Sequence, residues 1–195
     1  SEINDLAAQF GRPLIVNETL RLKSLFGAID ERPMRVAEVV PIVQRQHNRV
    51  LIMIKQNYPH GVYRLPSGGI RTGERILDAL LRETYEETGL SVMVQRFLAL
   101  IRYQIILPTG RTGRFTSYVF LVHGDGPVQP VDASERIVNW REVGVHDLRD
   151  MADALYNLRV EGELDWNDWG RFRSVVHRVA ADILCPRPAS PATPT

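Results

Sequence analysis

Between Gly68 and Leu90 the sequence GGIRTGERILDALLRETYEETGL gathers four glutamates, Glu74, Glu83, Glu86 and Glu87, between two glycine-marked turns. The stretch from Glu74 to Thr88 favours a helix, and Gly89 stands where a helix C-cap belongs. At about 100° per residue, Glu86 and Glu87 return to the side of Glu83, so the three carboxylates share one face. Leu77, Leu81, Thr84 and Thr88 then fall on the opposite side, which is expected to be the buried one. In water each like-charge pair costs only about 0.2–0.5 kcal/mol. In a partly desolvated cleft, at ~5 Å and an effective dielectric near 20, the repulsion reaches roughly 3 kcal/mol. A divalent cation removes that cost, and hard carboxylate oxygens suit Mg²⁺ or Mn²⁺. The other reading that composition allows is a solvated acidic face, partly compensated by Arg75 and Arg82.

Spacing separates the two. Gly68, five residues, Glu74, seven residues, Arg82-Glu83, then Glu86-Glu87-x-Gly89-Leu90 resembles the Nudix box, G-x5-E-x7-R-E-U-x-E-E-x-G-U, where U is a bulky aliphatic. Every fixed polar and glycine position is present. Thr84 departs from the pattern, standing where an aliphatic is usual, and this touches packing more than chemistry.

The resemblance implies an α/β/α sandwich with a mixed sheet. It also implies hydrolysis of a nucleoside diphosphate linked to another group, with Mg²⁺ or Mn²⁺ as cofactor. By that resemblance Glu83, Glu86 and Glu87 are the metal carboxylates, and a backbone carbonyl near Gly68 adds a ligand. Arg82 would hold the helix carboxylates, together with Glu74, rather than touch substrate. The general base in this family is a box glutamate, here Glu86 or Glu83, or one from a later loop. Glu135, in PVDASERIVNW, is the loop candidate, either as base or as a fourth metal ligand; a plain exposed acid beside Asp132 and Arg136 is the alternative.

Four arginines are candidates for gripping substrate phosphate. Arg64 lies just upstream of the box, Arg102 near the end of a strand, and Arg111 and Arg114 in the turn-rich PTGRTGRF. A solvated hairpin tip is the other reading for the last two, and edge or core packing for Arg102 and Tyr103. Trp166, Trp169 and Phe172 fit the apolar face of a closing helix better than a base-stacking platform. The histidines show no zinc-ligand spacing, and neither a G-x-S-x-G elbow nor a G-x4-G-K-[ST] loop occurs. Among substrates the lean is toward an NDP-sugar or ADP-ribose-like compound, with a nucleoside triphosphate next. Two other functions stay in view. A ligand-sensing Nudix-like domain of a regulator would want a degraded box and a basic DNA-binding segment. A diphosphate isomerase would want a core cysteine, which Cys185 is badly placed to be.

These residues need a scaffold, and the chain supplies elements on both sides of the acidic helix. RVAEVVPIVQ and RVLIMIKQ read as strands joined through RQHN, followed by a short extended piece at 62–65. SVMVQRFLALIRYQIIL, RFTSYVFLVHG and ERIVNWREV read as three more strands. Strands around a central helix, then a closing helical segment, give a mixed α/β sandwich. The expected divisions are a 1–33 N-terminal extension, a 34–144 core domain, C-terminal helices over 145–185 and a flexible tail at 186–195. Within the extension, NETLRLKSLF suits either a helix capped by Asn17 or a strand. A net charge of +1 with scattered basic residues leaves no nucleic-acid footprint, and no apolar run approaches the ~20 residues of a membrane span. One cysteine in 195 residues fits a reducing compartment, hence the cytoplasm. The segments beyond the core are expected to cover an apolar surface or to build a homodimer, which the family resemblance makes a frequent outcome.

Overall fold

Strands that are apolar on both faces need a covering layer on each side. The computed structural model, which describes residues 1–23, 36–161 and 164–186, has that arrangement. Its elements in chain order are α1 (Glu2–Phe10), β1 (Leu14–Arg21), β2 (Ala37–Arg45), β3 (Arg49–Lys55), β4 (Gly68–Gly69) and α2 (Ile76–Thr88). There follow β5 (Met93–Ile106), β6 (Thr112–His123), β7 (Ile137–Gly144), α3 (Asp147–Tyr156) and α4 (Leu164–Leu184). The strands form one mixed sheet in the order β1-β5-β6-β2-β3-β7, with β4 beside β2. β1 runs parallel to β5 and β2 parallel to β6, while the other pairs are antiparallel.

Strand alternation divides the core into two layers. Val39, Val43, Leu51, Leu100 and Phe120 meet Leu6 of α1 and Ile76, Ala79 and Leu80 of α2. Val40, Ile42, Val50, Ile52 and Ile101 meet Leu148 of α3 and Phe172, Val175, Val176 and Val179 of α4. The result is an α/β/α sandwich with a helical C-terminal segment. No helix among the described residues is long and apolar enough to cross a membrane.

One irregularity in the sheet positions the acidic segment. β2 and β3 pair only next to their turn, at Gln44 with Val50 and Arg45 with Arg49, and then splay. The chain from Arg64 to Gly69 runs into the gap. Arg64 bridges Met53 on β3, and Gly68 and Gly69 pair with Val39 and Glu38 on β2. The loop that opens the acidic segment is thereby pinned to the middle of the sheet.

Several sequence expectations change. NETLRLKSLF begins as strand: Asn17 lies inside β1 opposite Arg102, so it caps nothing. The N-terminal helix α1 was not anticipated, and α2 starts at Ile76 rather than Glu74. The larger correction concerns which side of α2 is buried. Leu81 is exposed and Leu77 only half-buried, whereas Ile76, Ala79, Leu80, Glu83, Thr84, Glu87 and Thr88 are buried. Thr84 and Thr88 face inward as expected, but two of the glutamates share that stripe. The reason is local and polar. Thr84 and Thr88 satisfy their hydroxyls on the carbonyls of Leu80 and Thr84, at 2.6 and 2.5 Å, so threonine enters the core without an orphaned donor. The start of the core at 34, residues 24–33 of the extension and all of the tail but Pro186 lie outside the described residues.

Candidate active site

α2 is fixed at both ends by distant parts of the chain. At its N-terminus the Ile76 amide donates to Glu2 Oε1 of α1 at 2.7 Å, which satisfies one of the first-turn N–H groups. At its C-terminus Gly89 is left-handed, φ 71°, and its amide closes on the Tyr85 carbonyl at 2.8 Å. The Glu86 carbonyl accepts from the amides of Val131 and Asp132, and the Thr88 carbonyl from Gln129. These bonds dock the loop before β7 on the helix end. Asp132 then caps the short turn Ala133–Glu135 by accepting from the Ser134 amide at 2.8 Å. Through this chain of contacts Glu135 reaches the acidic helix from far along the sequence.

The carboxylates converge. Glu83, Glu86 and Glu135 each offer an oxygen, all within 4.8 Å of one another. Glu87 is not part of that trio. It is wholly buried and neither of its oxygens accepts a hydrogen bond. Lys55, at the end of β3, bridges the two groups: its Nζ lies 3.3 Å from Glu87 Oε1 and 2.5 Å from Glu135 Oε2. Burial pushes Glu87 up to about 7 against the pull of Arg64 and Lys55, and burial also raises Glu83. Burial raises one member of the trio, Glu83, and beside it lies a buried carboxylate whose oxygens accept no hydrogen bond, so the cluster can take up further positive charge. An all-oxygen donor set of this kind fits Mg²⁺ or Mn²⁺.

Arg82 holds the cluster together. Its Nε and Nη2 donate to Glu74 at 2.6 and 2.8 Å, its Nη1 to Glu83 at 2.7 Å and Glu86 at 2.9 Å, and Nη2 also to the Gly69 carbonyl at 3.1 Å. The hydrogen bonds from Arg82 hold Glu74 down at about 2. Gly68 is required by contact: a Cβ there would lie 1.9 Å from Glu83 Cδ, so any side chain would evict the carboxylate. The Gly68 backbone is thus next to Glu83.

Arg64 is buried. Its Nε donates to the Tyr58 hydroxyl at 2.7 Å, and its Nη1 to the Leu65 carbonyl and Ser67 Oγ at 2.7 and 3.0 Å. Arg173 of α4 donates to the same Ser67 at 3.0 Å and to both oxygens of buried Glu38. His177 completes this support. Its Nδ1 pairs with the Arg173 carbonyl at 2.8 Å and its Nε2 accepts from the Leu65 amide at 3.0 Å, an arrangement that needs the neutral ring. Burial holds His177 down at about 4, so the ring is neutral at physiological pH. α4 therefore anchors the loop that leads into the acidic segment.

The remaining candidates lie elsewhere. Arg102, Arg111 and Arg114 are exposed on the β5–β6 hairpin. Tyr103 and Phe172 are core residues in mutual contact, with ring centroids 4.9 Å apart, and Trp166 and Trp169 pack edge-on against Tyr58. Cys185 is exposed near the end of α4. Sequence reasoning missed Lys55, Glu38, Arg173 and His177. Lys55 had a signal: alternation along β3 puts it on the same side as Leu51, which faces α2. The others belong to a network whose members are far apart in sequence.

The family model of the NUDIX domain matches residues 33–164, which is more than half of the chain. The chain belongs to the Nudix family. With every fixed acidic, arginine and glycine position of the box present, it is a Nudix pyrophosphohydrolase. Among solved structures it is similar to a MutT NUDIX hydrolase from Burkholderia pseudomallei, at 18% identity and a TM-score of 0.48, over 75% of this chain and 95% of that one. It is also similar to a NUDIX-family hydrolase from Clostridium perfringens, at 15% identity and a TM-score of 0.47, over 78% and 99% of the two chains. A third is the dihydroneopterin triphosphate pyrophosphohydrolase of E. coli, at 15% identity and a TM-score of 0.43, over 72% and 95%. Comparison with curated proteins finds no significant sequence match.

Proposed function

We propose that this Nudix chain hydrolyses a nucleoside diphosphate linked to a second moiety, an NDP-sugar or ADP-ribose-like compound, with nucleoside triphosphates next in preference. Mg²⁺ or Mn²⁺ is the cofactor in this reading. The observation that carries it is the meeting of Glu83, Glu86 and Glu135 within 4.8 Å, beside a buried Glu87 whose oxygens accept no hydrogen bond. When bound, the cation supplies charge neutralisation of the diphosphate and a water of lowered pKa.

The residues then divide the work. Glu83, Glu86 and Glu87, with the Gly68 carbonyl, are the groups that would hold the ion. Arg82 fixes the first two of these carboxylates and takes no part in substrate contact. Glu135, delivered by its docked loop, is placed to accept the proton of the attacking water; a box glutamate, Glu86 or Glu83, is the other choice. Arg64 serves the substrate indirectly, by bracing the loop; Arg102, Arg111 and Arg114, exposed on the β5–β6 hairpin, take no part in holding the acidic cluster.

Positive charge gathered at the carboxylates faces a diphosphate, so water is expected to attack phosphorus and not a sugar carbon. Hydrolysis in ¹⁸O-water should label a phosphate product, with a nucleoside monophosphate and a phosphorylated partner released from an NDP-linked substrate. Glu135→Gln should lower kcat far more than Mn²⁺ affinity. Label on the anomeric hydroxyl would overturn the mechanism, and a mild effect of Glu135→Gln would move the base to Glu86 or Glu83.

We place the enzyme in the cytoplasm, in keeping with its single cysteine, which cell fractionation tests. We also propose a homodimer. Among the described residues, edge strand β1 pairs with β5 alone, and it exposes Leu14 and Ile15 at 51% and 47%. Sedimentation at micromolar concentration should give a dimer that Ile15→Asp dissociates; a monomeric wild-type chain would remove the proposal.

A further inference from the structure

Lys55 is one of only two lysines in the chain, the other being Lys23. Among the arginines around the site, all five N–H groups of Arg82 are bonded, Arg64 serves Tyr58, Leu65 and Ser67, Arg173 serves Glu38 and Ser67, and the largely exposed Arg71 lies 3.4 Å from Glu86. Lys55 is held differently. It comes from the end of β3, where the pairing with β7 slips, Ile54 facing Asn139 and Lys55 facing Ile137. Its side chain is 17% exposed, and among the described residues its ammonium pairs with Glu87 of α2 at 3.3 Å and Glu135 of the β7 loop at 2.5 Å. A point charge on a flexible stem can leave such a place, whereas a fully bonded guanidinium cannot.

One of these partners, Glu87, is among the groups that would hold the cation, and the other, Glu135, lies within the acidic cluster beside them. Glu135 shares its space with Glu83 and Glu86, and Glu87 has no hydrogen bond to replace what Lys55 provides. An ammonium and a divalent cation cannot both sit against the same carboxylates without repulsion. We propose that Lys55 is a displaceable counter-cation: it neutralises Glu87 and Glu135 in the metal-free enzyme and, once Glu83, Glu86 and Glu87 are taken up by a divalent cation, moves onto the diphosphate of the substrate. This rests on the metal-dependent reading of the site and deepens it, because it couples metal binding to substrate binding through one side chain. Metal loading frees the phosphate ligand, so substrate should bind better to the loaded enzyme for a reason beyond the ion itself.

The test uses the full chain and Mn²⁺ alone, read as the loss of free Mn²⁺ signal by electron paramagnetic resonance, without nucleotide. Lys55→Met and Lys55→Gln remove the competitor and should bind Mn²⁺ about tenfold more tightly than wild type. At saturating metal the same variants should show KM raised by about tenfold or more, with a smaller change in kcat. A lysine that merely props the carboxylates predicts the opposite, equal or weaker Mn²⁺ binding, and that result overturns the proposal. Should the variants not fold, the unmodified chain decides. With ¹³Cε-labelled lysine only two signals are expected, and Lys23→Arg assigns them; Mg²⁺ should move the Lys55 signal. A Lys55 signal unmoved at saturating Mg²⁺ overturns the displacement. A wild-type chain that binds no Mn²⁺ at all would sink the metal reading itself, while wild-type binding left unchanged in the variants removes only the role given to Lys55.

Discussion

Glu87→Gln is expected to abolish most turnover and yet to make the metal-free protein more stable. In the proposed metal-dependent reading, the loss of turnover comes from removing an anionic ligand. Changing even an outer partner of a metal ligand costs roughly 10- to 100-fold, so about a hundredfold is the least to expect here. The gain in stability comes from burial. Glu87 is wholly buried, and desolvation raises it from 4.5 to about 7 although Arg64 and Lys55 pull the other way. An acid whose folded pKa lies above its unfolded one binds its proton more strongly when folded, so stability falls as pH rises through the interval from 4.5 to about 7. The full loss is about 3 kcal/mol. Glutamine keeps the shape of the neutral acid and cannot ionise. In chelator at pH 8 the variant should therefore melt about 5–10 °C above wild type, a difference that should vanish near pH 4. Adding Mg²⁺ should raise the wild-type melting temperature more than that of the variant. Near-normal Mg²⁺-dependent turnover in Glu87→Gln, or identical melting at pH 8, would contradict the account.

The same residue shows where sequence reading succeeded and where it stopped. The box was legible because its chemistry sits in one continuous segment with fixed spacing, and the strands that frame it carry local alternation. The orientation of α2 was not. Hydropathy pointed to Leu77 and Leu81 as the inner side, but the buried stripe includes Glu83, Thr84, Glu87 and Thr88, and Leu81 is 40% exposed. Polar residues were hidden from a hydropathy argument because their partners lie elsewhere: Arg82 for Glu83, the helix backbone for the threonines, Lys55 for Glu87. Long-range parallel pairing was illegible for the same reason. Nothing near Asn17 announces that it will face Arg102 across a parallel ladder, nor near Glu38 that it will meet Arg173 of α4. Burying Glu38 is tolerable only because Arg173 and Ser117 supply hydrogen bonds to its carboxylate. Glu135 was reachable as a candidate from its place before the last strand. Its delivery to the site depends on the docking of residues 129–132 on the end of α2, a contact visible only in the folded chain.

Arg82→Lys is expected to lose between about tenfold and a hundredfold in kcat although the charge is kept. The five N–H groups of Arg82 meet five acceptors, two on Glu74, one each on Glu83 and Glu86, and the Gly69 carbonyl. A planar fork can span these directions at once because its donors are fixed in one plane around a single carbon. An ammonium has three donors at one point, so at least two acceptors must go unserved. The paired bonds to Glu74 are the first to be lost, because one nitrogen cannot reproduce two parallel contacts. Carboxylate position suffers in turn. Glu83 and Glu86 are held by the same Nη1, and a carboxylate that drifts by about 1 Å can cost on the order of a hundredfold in rate. The effect should therefore fall on kcat and on the Mg²⁺ concentration needed for half-maximal rate, with little change in KM for substrate, because in the proposed reading Arg82 braces the carboxylates and leaves substrate to other groups. Glu74→Gln offers a graded control. It keeps an acceptor for the fork but weakens the charge-assisted pair, so its loss should be smaller than that of Arg82→Lys. Full activity in Arg82→Lys, with the fold intact by circular dichroism, would show that positive charge alone suffices at this position and that the five-bond fork is not what orders the carboxylates.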